Sequence, residues 1–200
     1  MLSPLSILSI GFLLGLKHAT DPDHVVAVTT IVAKQKKLTH AALIGMTWGI
    51  GHTIMIMVVG IAIILFRVTI PAHLQNIFEL LVALALVVLG IRTLTGAPTP
   101  FHTHDLARPF VVGLIHGLAG SAAIALLILG SISDQTTGIV YLGIFGLGTI
   151  IGMMTITTLL GATITRLNTI ATKIAGGISI LYGLYFGLPH LFQLGLIPPN

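Results

Sequence analysis

The stretch Gly15-Leu-Lys-His-Ala-Thr-Asp-Pro-Asp-His-Val-Val-Ala-Val28 sets Lys17, His18, Asp21, Asp23 and His24 within eight positions of an otherwise lipid-like segment. One charged side chain at the centre of a spanning helix costs roughly 2.5–3.5 kcal/mol on insertion scales, so the cluster requires a compensating partner. Binding a cation is the simplest. Helical from Leu5 to Val32, the segment would be about 42 Å long at ~1.5 Å per residue, more than a hydrocarbon core of about 30 Å. Pro22 has no amide hydrogen and its ring meets the carbonyl of His18, so the helix is expected to open there. A continuous helix would carry His18, Asp21 and His24 in one slanting stripe, and opening at Pro22 would turn Asp23 inward beside them.

The surrounding chain is that of an integral membrane protein. Of its 200 residues 55% are hydrophobic and 7% charged, with a mean hydropathy of +1.08, far from the roughly 25% charge of soluble domains. No Asp, Glu, Lys or Arg occurs in Leu38–Phe66, Pro109–Ser133, Gln135–Thr165 or Ile174–Asn200, and each window exceeds the ~20 residues a spanning helix needs. With the broken Leu5–Val32 segment and a stretch from Leu74 to Ile91, the expectation is six transmembrane helices in an all-α membrane protein. The apolar runs are continuous where a transmembrane barrel would alternate. Met1–Leu16 lacks the basic start of a cleavable leader, so the first helix is expected to be retained. The absence of cysteine excludes thiolate ligation and thiol-disulfide chemistry.

Phe12-Leu-Leu-Gly15-Leu-Lys-His18-Ala overlays Phe110-Val-Val-Gly113-Leu-Ile-His116-Gly at a spacing of 98, and Gly49-Ile-Gly51-His52 overlays Gly146-Leu-Gly148-Thr149 at 97. Gly90 falls opposite Gly187 at the same spacing. The halves are residues 1–96 and 97–200. Three helices in each would make them inverted repeats, the arrangement in which secondary transporters hold substrate at the midplane on interrupted helices. Seven of the nine Lys and Arg fall on one side of such a six-helix chain. The positive-inside rule puts that side in the cytoplasm and both termini outside.

Imidazole with carboxylate is a borderline donor set that suits Ni, Co, Zn, Cu or Fe better than Mg or Ca. A metal held without thiolate can be released, as a transporter requires, and Lys17 could balance the two aspartates while the site is empty. The Lys-His-Ala-x-Asp-Pro-Asp-His run resembles the His-x-x-x-x-Asp-His signature of the NiCoT nickel/cobalt transporters, realised as His18, Asp23 and His24. Gly51-His52-Thr53 is similar to that family's Gly-His-Ser/Thr motif in the next helix. The chain lacks the helix that precedes the motif in longer members, and Gly113-Leu-Ile-His116 stands where their later acidic motif would be. It thus looks like the short, six-helix UreH-type branch, which is associated with nickel supply to urease.

The resemblance implies transport of Ni2+ or Co2+ as substrate, nickel first, with no resident cofactor. His18, Asp23 and His24 are the expected primary ligands, Asp21 and His52 their partners, and His116 the counterpart from the second half. The implied partners are a divalent metal ion and the lipid bilayer, with no nucleic acid and no assigned oligomeric state; without a transit peptide, a bacterial-type inner membrane is the expected residence. Competing readings are a metal exporter of the same fold, an intramembrane metal-dependent hydrolase, against which the missing His-Glu-x-x-His base speaks, and a scaffold for a larger uptake complex. Glu79 is expected at the first turn of its helix, where an acid is favoured. Phe101-His102-Thr103-His104-Asp105 reads as a solvated loop.

Overall fold

Pro22 interrupts the first hydrophobic segment as its chemistry demands. A computed structural model describes residues 4–33, 35, 37–67, 70–96, 106–119, 129–130, 132, 134–164 and 169–198, and the segment forms two helices, α1 (Pro4–His18) and α2 (Pro22–Val32). At 15 and 11 residues they are about 22 and 16 Å long, so neither crosses a bilayer alone. Asp21 is extended (φ −61°, ψ 141°), as a residue before proline must be, and Pro22 takes the first helical position, where no amide hydrogen is missed. The amides of Thr20 and Asp21 turn back onto the carbonyls of Lys17 (2.8 Å) and His18 (3.0 Å), closing the end of α1 without exposing its backbone.

The remaining described helices are α3 (Leu38–Phe66), α4 (Ala72–Leu94), α5 (Ala107–Leu118), α6 (Gln135–Ile164) and α7 (Thr169–Gln193). Among them α3, α4, α6 and α7 are long and apolar enough to cross a membrane, and large apolar side chains such as Leu181, Leu184 and Tyr185 cover their outer faces. The chain is an all-helical membrane protein. One expectation needs correction: Pro109–Ser133 is not an unbroken span. Its helix stops at Leu118 and Ala119 is extended (φ −70°, ψ 149°), with no proline or charge to announce it; residues 120–128 lie outside the described residues. The expected Leu74–Ile91 helix is longer at both ends. The last helix starts five residues before the expected Ile174, at Thr169.

Glycines set the helix contacts. A Cβ on Gly15 would strike the Phe145 carbonyl oxygen, and one on Gly113 the Trp48 carbonyl oxygen. Gly148 meets the carbonyl oxygen of Phe12 in the same way, and Gly51 that of Phe110. These contacts relate through the sequence spacings of 97 and 98, so α1 lies on α6 as α5 lies on α3. The central pair α3 and α6 pack on each other, α4 packs on α7, and α2 touches α4, α6 and α7. Buried Ile31, Val32, Trp48 and Leu86 form one core cluster, and Ile56, Tyr141, Leu142 and Phe145 another.

Asp134 precedes α6 and accepts hydrogen bonds from the amide and the hydroxyl of Thr137, each at 2.7 Å. The Thr137 hydroxyl, and after it the amide, hold the exposed carboxyl below its ordinary value of 3.8. A depressed folded value means that the stabilisation is complete above the unfolded value and lost as pH falls through the folded one. Asp134→Ala is therefore expected to lower the melting temperature at neutral pH. That difference from wild type should vanish in acid once the wild-type carboxyl is protonated; a difference that persists in acid would show that the cap acts otherwise.

Candidate metal centre

The break between α1 and α2 brings both of its histidines to the face of α3. His18 ends α1, His24 is the third residue of α2, and His52 lies midway along α3. His24 and His52 are fully buried, and His18 and Asp23 are each 5% exposed. His18 Nε2 lies 2.8 Å from His52 Nε2, and one nitrogen each from His18, His24 and His52 falls within 4.8 Å of the others. Asp21 Oδ2 accepts a 2.7 Å hydrogen bond from His18 Nδ1. That explains why the Asp21 side chain, at the N-cap of α2, makes no capping hydrogen bond.

The aspartate sets the tautomer of its neighbour. With His18 Nδ1–H given to Asp21, a neutral His18 presents a lone pair at Nε2, and His52 Nε2–H is its donor. His52 Nδ1 has no hydrogen-bond partner, so moving that proton across the ring would leave two Nε2 lone pairs facing one another. Asp23 Oδ1 approaches His24 Nδ1 at 3.0 Å. The approach lies off strict hydrogen-bond geometry, and His24 Nε2 has no partner. A buried polar atom without a partner costs about 1–3 kcal/mol, so such a concentration in one place makes this cluster the candidate ligand site. Neutral imidazole nitrogens with an adjacent carboxylate are donors for a borderline divalent metal.

His116, in the last turn of α5, is fully buried. Its Nδ1–H donates to the Val112 carbonyl at 3.1 Å, and Nε2 has no partner. It meets His24, with ring centroids 5.5 Å apart, but stands outside the three-histidine set.

No family model matches the chain, and no solved structure does. It is 38% identical to the urease accessory protein UreH of Bacillus sp. (strain TB-90), over 96% of this chain and 93% of that one. The chain belongs to the UreH family. It is also 29% identical to a protein of Methanocaldococcus jannaschii named for nickel/cobalt efflux, over 72% of this chain and 70% of that one. A third relative is the chloroplast protein FOR GROWTH AND FERTILITY 1 of Arabidopsis thaliana, 27% identical over 76% of this chain and 48% of its own.

In this member of the UreH family, several side chains depart from expectation. Lys17 is exposed and, among the described residues, forms no ion pair with Asp21 or Asp23. Glu79 is the eighth residue of α4, two turns past the position expected for it. Thr53 of the Gly-His-Thr triplet donates to the Gly146 carbonyl at 3.2 Å and ties α3 to α6. Gly120, Ser121 and the Phe101–Asp105 loop lie outside the described residues. Trp48 is the residue that sequence reasoning missed. It stacks on His24 (5.9 Å, 11°) and meets His116 edge-on (5.1 Å, 76°), while Phe145, its equivalent at the repeat spacing, lies 5.6 Å from His18. A signal was present: Trp48 is the sole tryptophan and stands four residues before His52, on the same helix face.

Proposed function

We propose that the protein carries a divalent transition-metal ion across the membrane, nickel first and cobalt second, as a secondary importer and not as an enzyme. The carrying observation is the set of three buried imidazoles, His18, His24 and His52, with ligand nitrogens within 4.8 Å of one another where a helix breaks inside apolar surroundings. His18, Asp23 and His24 are the primary ligands in this reading. His52 completes the set, Asp21 orients His18 through its Nδ1–H, and His116 answers from the second half. Relatives named as a urease accessory protein and for nickel/cobalt efflux support the choice of metal.

In this reading residues 1–96 and 97–200 are inverted three-helix repeats, six crossings in all, with the ion near the midplane. The reciprocal glycine contacts of α1 on α6 and α5 on α3 support it. Both termini lie outside the cytoplasm of a cell's inner membrane, the side poor in Lys and Arg. Inward movement of two positive charges releases about 4.6 kcal/mol at ~100 mV, over three decades of accumulation. The relative named for efflux keeps the outward direction as the second reading. Cells expressing the protein are expected to accumulate radioactive nickel above control cells, and His18→Ala to return them to the control level. Equal accumulation with wild type and His18→Ala would overturn the ligand assignment, and net loss from preloaded cells would reverse the direction.

A further inference from the structure

We infer that Trp48 is a positioning residue of the metal centre: its indole, stacked on the His24 imidazole, fixes the direction in which that ring offers its nitrogen to the ion. The inference rests on the ligand set of the transport reading and adds what holds one ligand of it in place. A metal-binding imidazole is ordinarily oriented by a hydrogen bond from its other ring nitrogen. His18 has one, through Nδ1 to Asp21 at 2.7 Å. His24 has none of that quality. Asp23 Oδ1 approaches its Nδ1 at 3.0 Å off strict hydrogen-bond geometry, and Nε2 has no partner among the described residues. Rotation about the bond from Cβ to an imidazole ring has broad minima, so the ring plane of His24 needs another constraint.

A flat neighbour supplies it. The Trp48 indole lies nearly parallel to the imidazole, at 11° with ring centroids 5.9 Å apart, an offset stack. His18 and His52 meet the same imidazole edge-on, at 66° and 80°, so turning the ring would break all three contacts. The indole is itself wedged. Trp48 is fully buried, the His116 ring stands against it at 76°, and its Cδ1 lies over Gly113 of α5, 2.8 Å from where a Cβ would be. Its Nε1–H finds no acceptor among the described residues, a cost that an all-carbon ring in the same place would not carry. Packing alone therefore does not account for tryptophan here. A metal ion draws electron density out of the imidazole it binds, and indole has the most electron-rich face of the aromatic side chains, so the stack strengthens as the ion arrives. Phe145, the equivalent residue of the second half, is tilted by 38° on His18. Parallel stacking thus occurs at the imidazole that lacks a well-formed hydrogen bond.

Purified full-length protein tests the role through Co2+, titrated by its visible absorption and by equilibrium binding. Trp48→Leu is expected to weaken cobalt binding about 10- to 100-fold, the range for losing a group that orients a metal ligand, and to shift the absorption of bound cobalt. Trp48→Phe keeps a ring that can stack and should stay within about threefold of wild type with the wild-type spectrum. Trp48→Met, whose unbranched chain adapts to the vacated space, should bind as weakly as Trp48→Leu and carries the comparison if the leucine variant does not fold. Leu142→Ala, in the other core cluster, is expected to lower the melting temperature and leave affinity and spectrum unchanged, which separates a packing defect from lost orientation. Trp48 is the sole tryptophan, so in wild type its emission should fall with cobalt and saturate together with the absorption. Wild-type affinity and spectrum in Trp48→Leu or Trp48→Met would overturn the proposal, as would a Trp48→Phe protein as weak as they are. Cobalt absorption that saturates with unchanged emission would also overturn it, by placing the ion away from the indole. Wild-type protein that binds no cobalt would instead overturn the transport reading itself.

Discussion

His24→Ala is expected to abolish metal binding and transport together, with an affinity loss of about 1000-fold, or ~4 kcal/mol. Among the described residues His24 faces the rings of His18, His52, His116 and Trp48. Asp21→Asn should do far less, about 10- to 100-fold, because Asp21 reaches the ion only through His18 Nδ1 and orients that ring without itself binding. His24→Ala should also lower the melting temperature of metal-free protein. It deprives buried Asp23 of the imidazole that approaches it at 3.0 Å, and a buried acceptor left alone costs about 1–3 kcal/mol. Asp23→Asn added to His24→Ala should recover most of that stability and none of the binding, since contacting residues combine non-additively. Calorimetric titration with Ni2+ and melting curves on the four proteins check the ordering. A His24→Ala protein that binds as tightly as Asp21→Asn would remove His24 from the centre.

The polar half of this site was readable because its residues make no sense in lipid without a purpose. Pro22 dictates where the helix opens, and His18, Asp21, Asp23 and His24 cluster around the opening with His52 one helix later. The apolar half was not readable. Helices such as α3 and α6 are hydrophobic on every face, so no periodicity separates inward Trp48 and Phe145 from outward Leu43 and Leu147. The stop of α5 at Ala119 carries no proline, and the position of Lys17 depends on which face of α1 meets α6. Glycine is the one residue whose pattern speaks in such helices, because close approach of two backbones requires it. Gly15, Gly51, Gly113 and Gly148 were visible as a repeat in the sequence, and they are the places where α1 and α5 touch the central pair.

Gly113→Val and Gly15→Val are each expected to prevent assembly of the helix bundle, and by similar amounts. A Cβ at Gly113 would enter the Trp48 carbonyl oxygen and lie 2.8 Å from Trp48 Cδ1 and 2.9 Å from the His52 amide nitrogen. At Gly15 it would enter the Phe145 carbonyl oxygen and lie 2.8 Å from the Thr149 amide nitrogen. Overpacking against side chains costs about 1–3 kcal/mol, and here the obstacle is backbone, which cannot change rotamer, so the cost lies at or above the upper end. At Gly143 and Gly177 an added Cβ would meet nothing within 4 Å, and alanine there should raise stability by up to ~1 kcal/mol through helix propensity alone. The sign of a glycine-to-alanine change should thus reverse between positions on one helix pair, which size-exclusion profiles and melting temperatures would read directly. Should Gly113→Ala be as benign as Gly143→Ala, α5 is not seated on α3 as described. The seating matters for function because Gly113 precedes His116 by a single turn and rests on the backbone of Trp48 and His52. The close approach that glycine permits there is what brings the second half's imidazole within reach of the first half's.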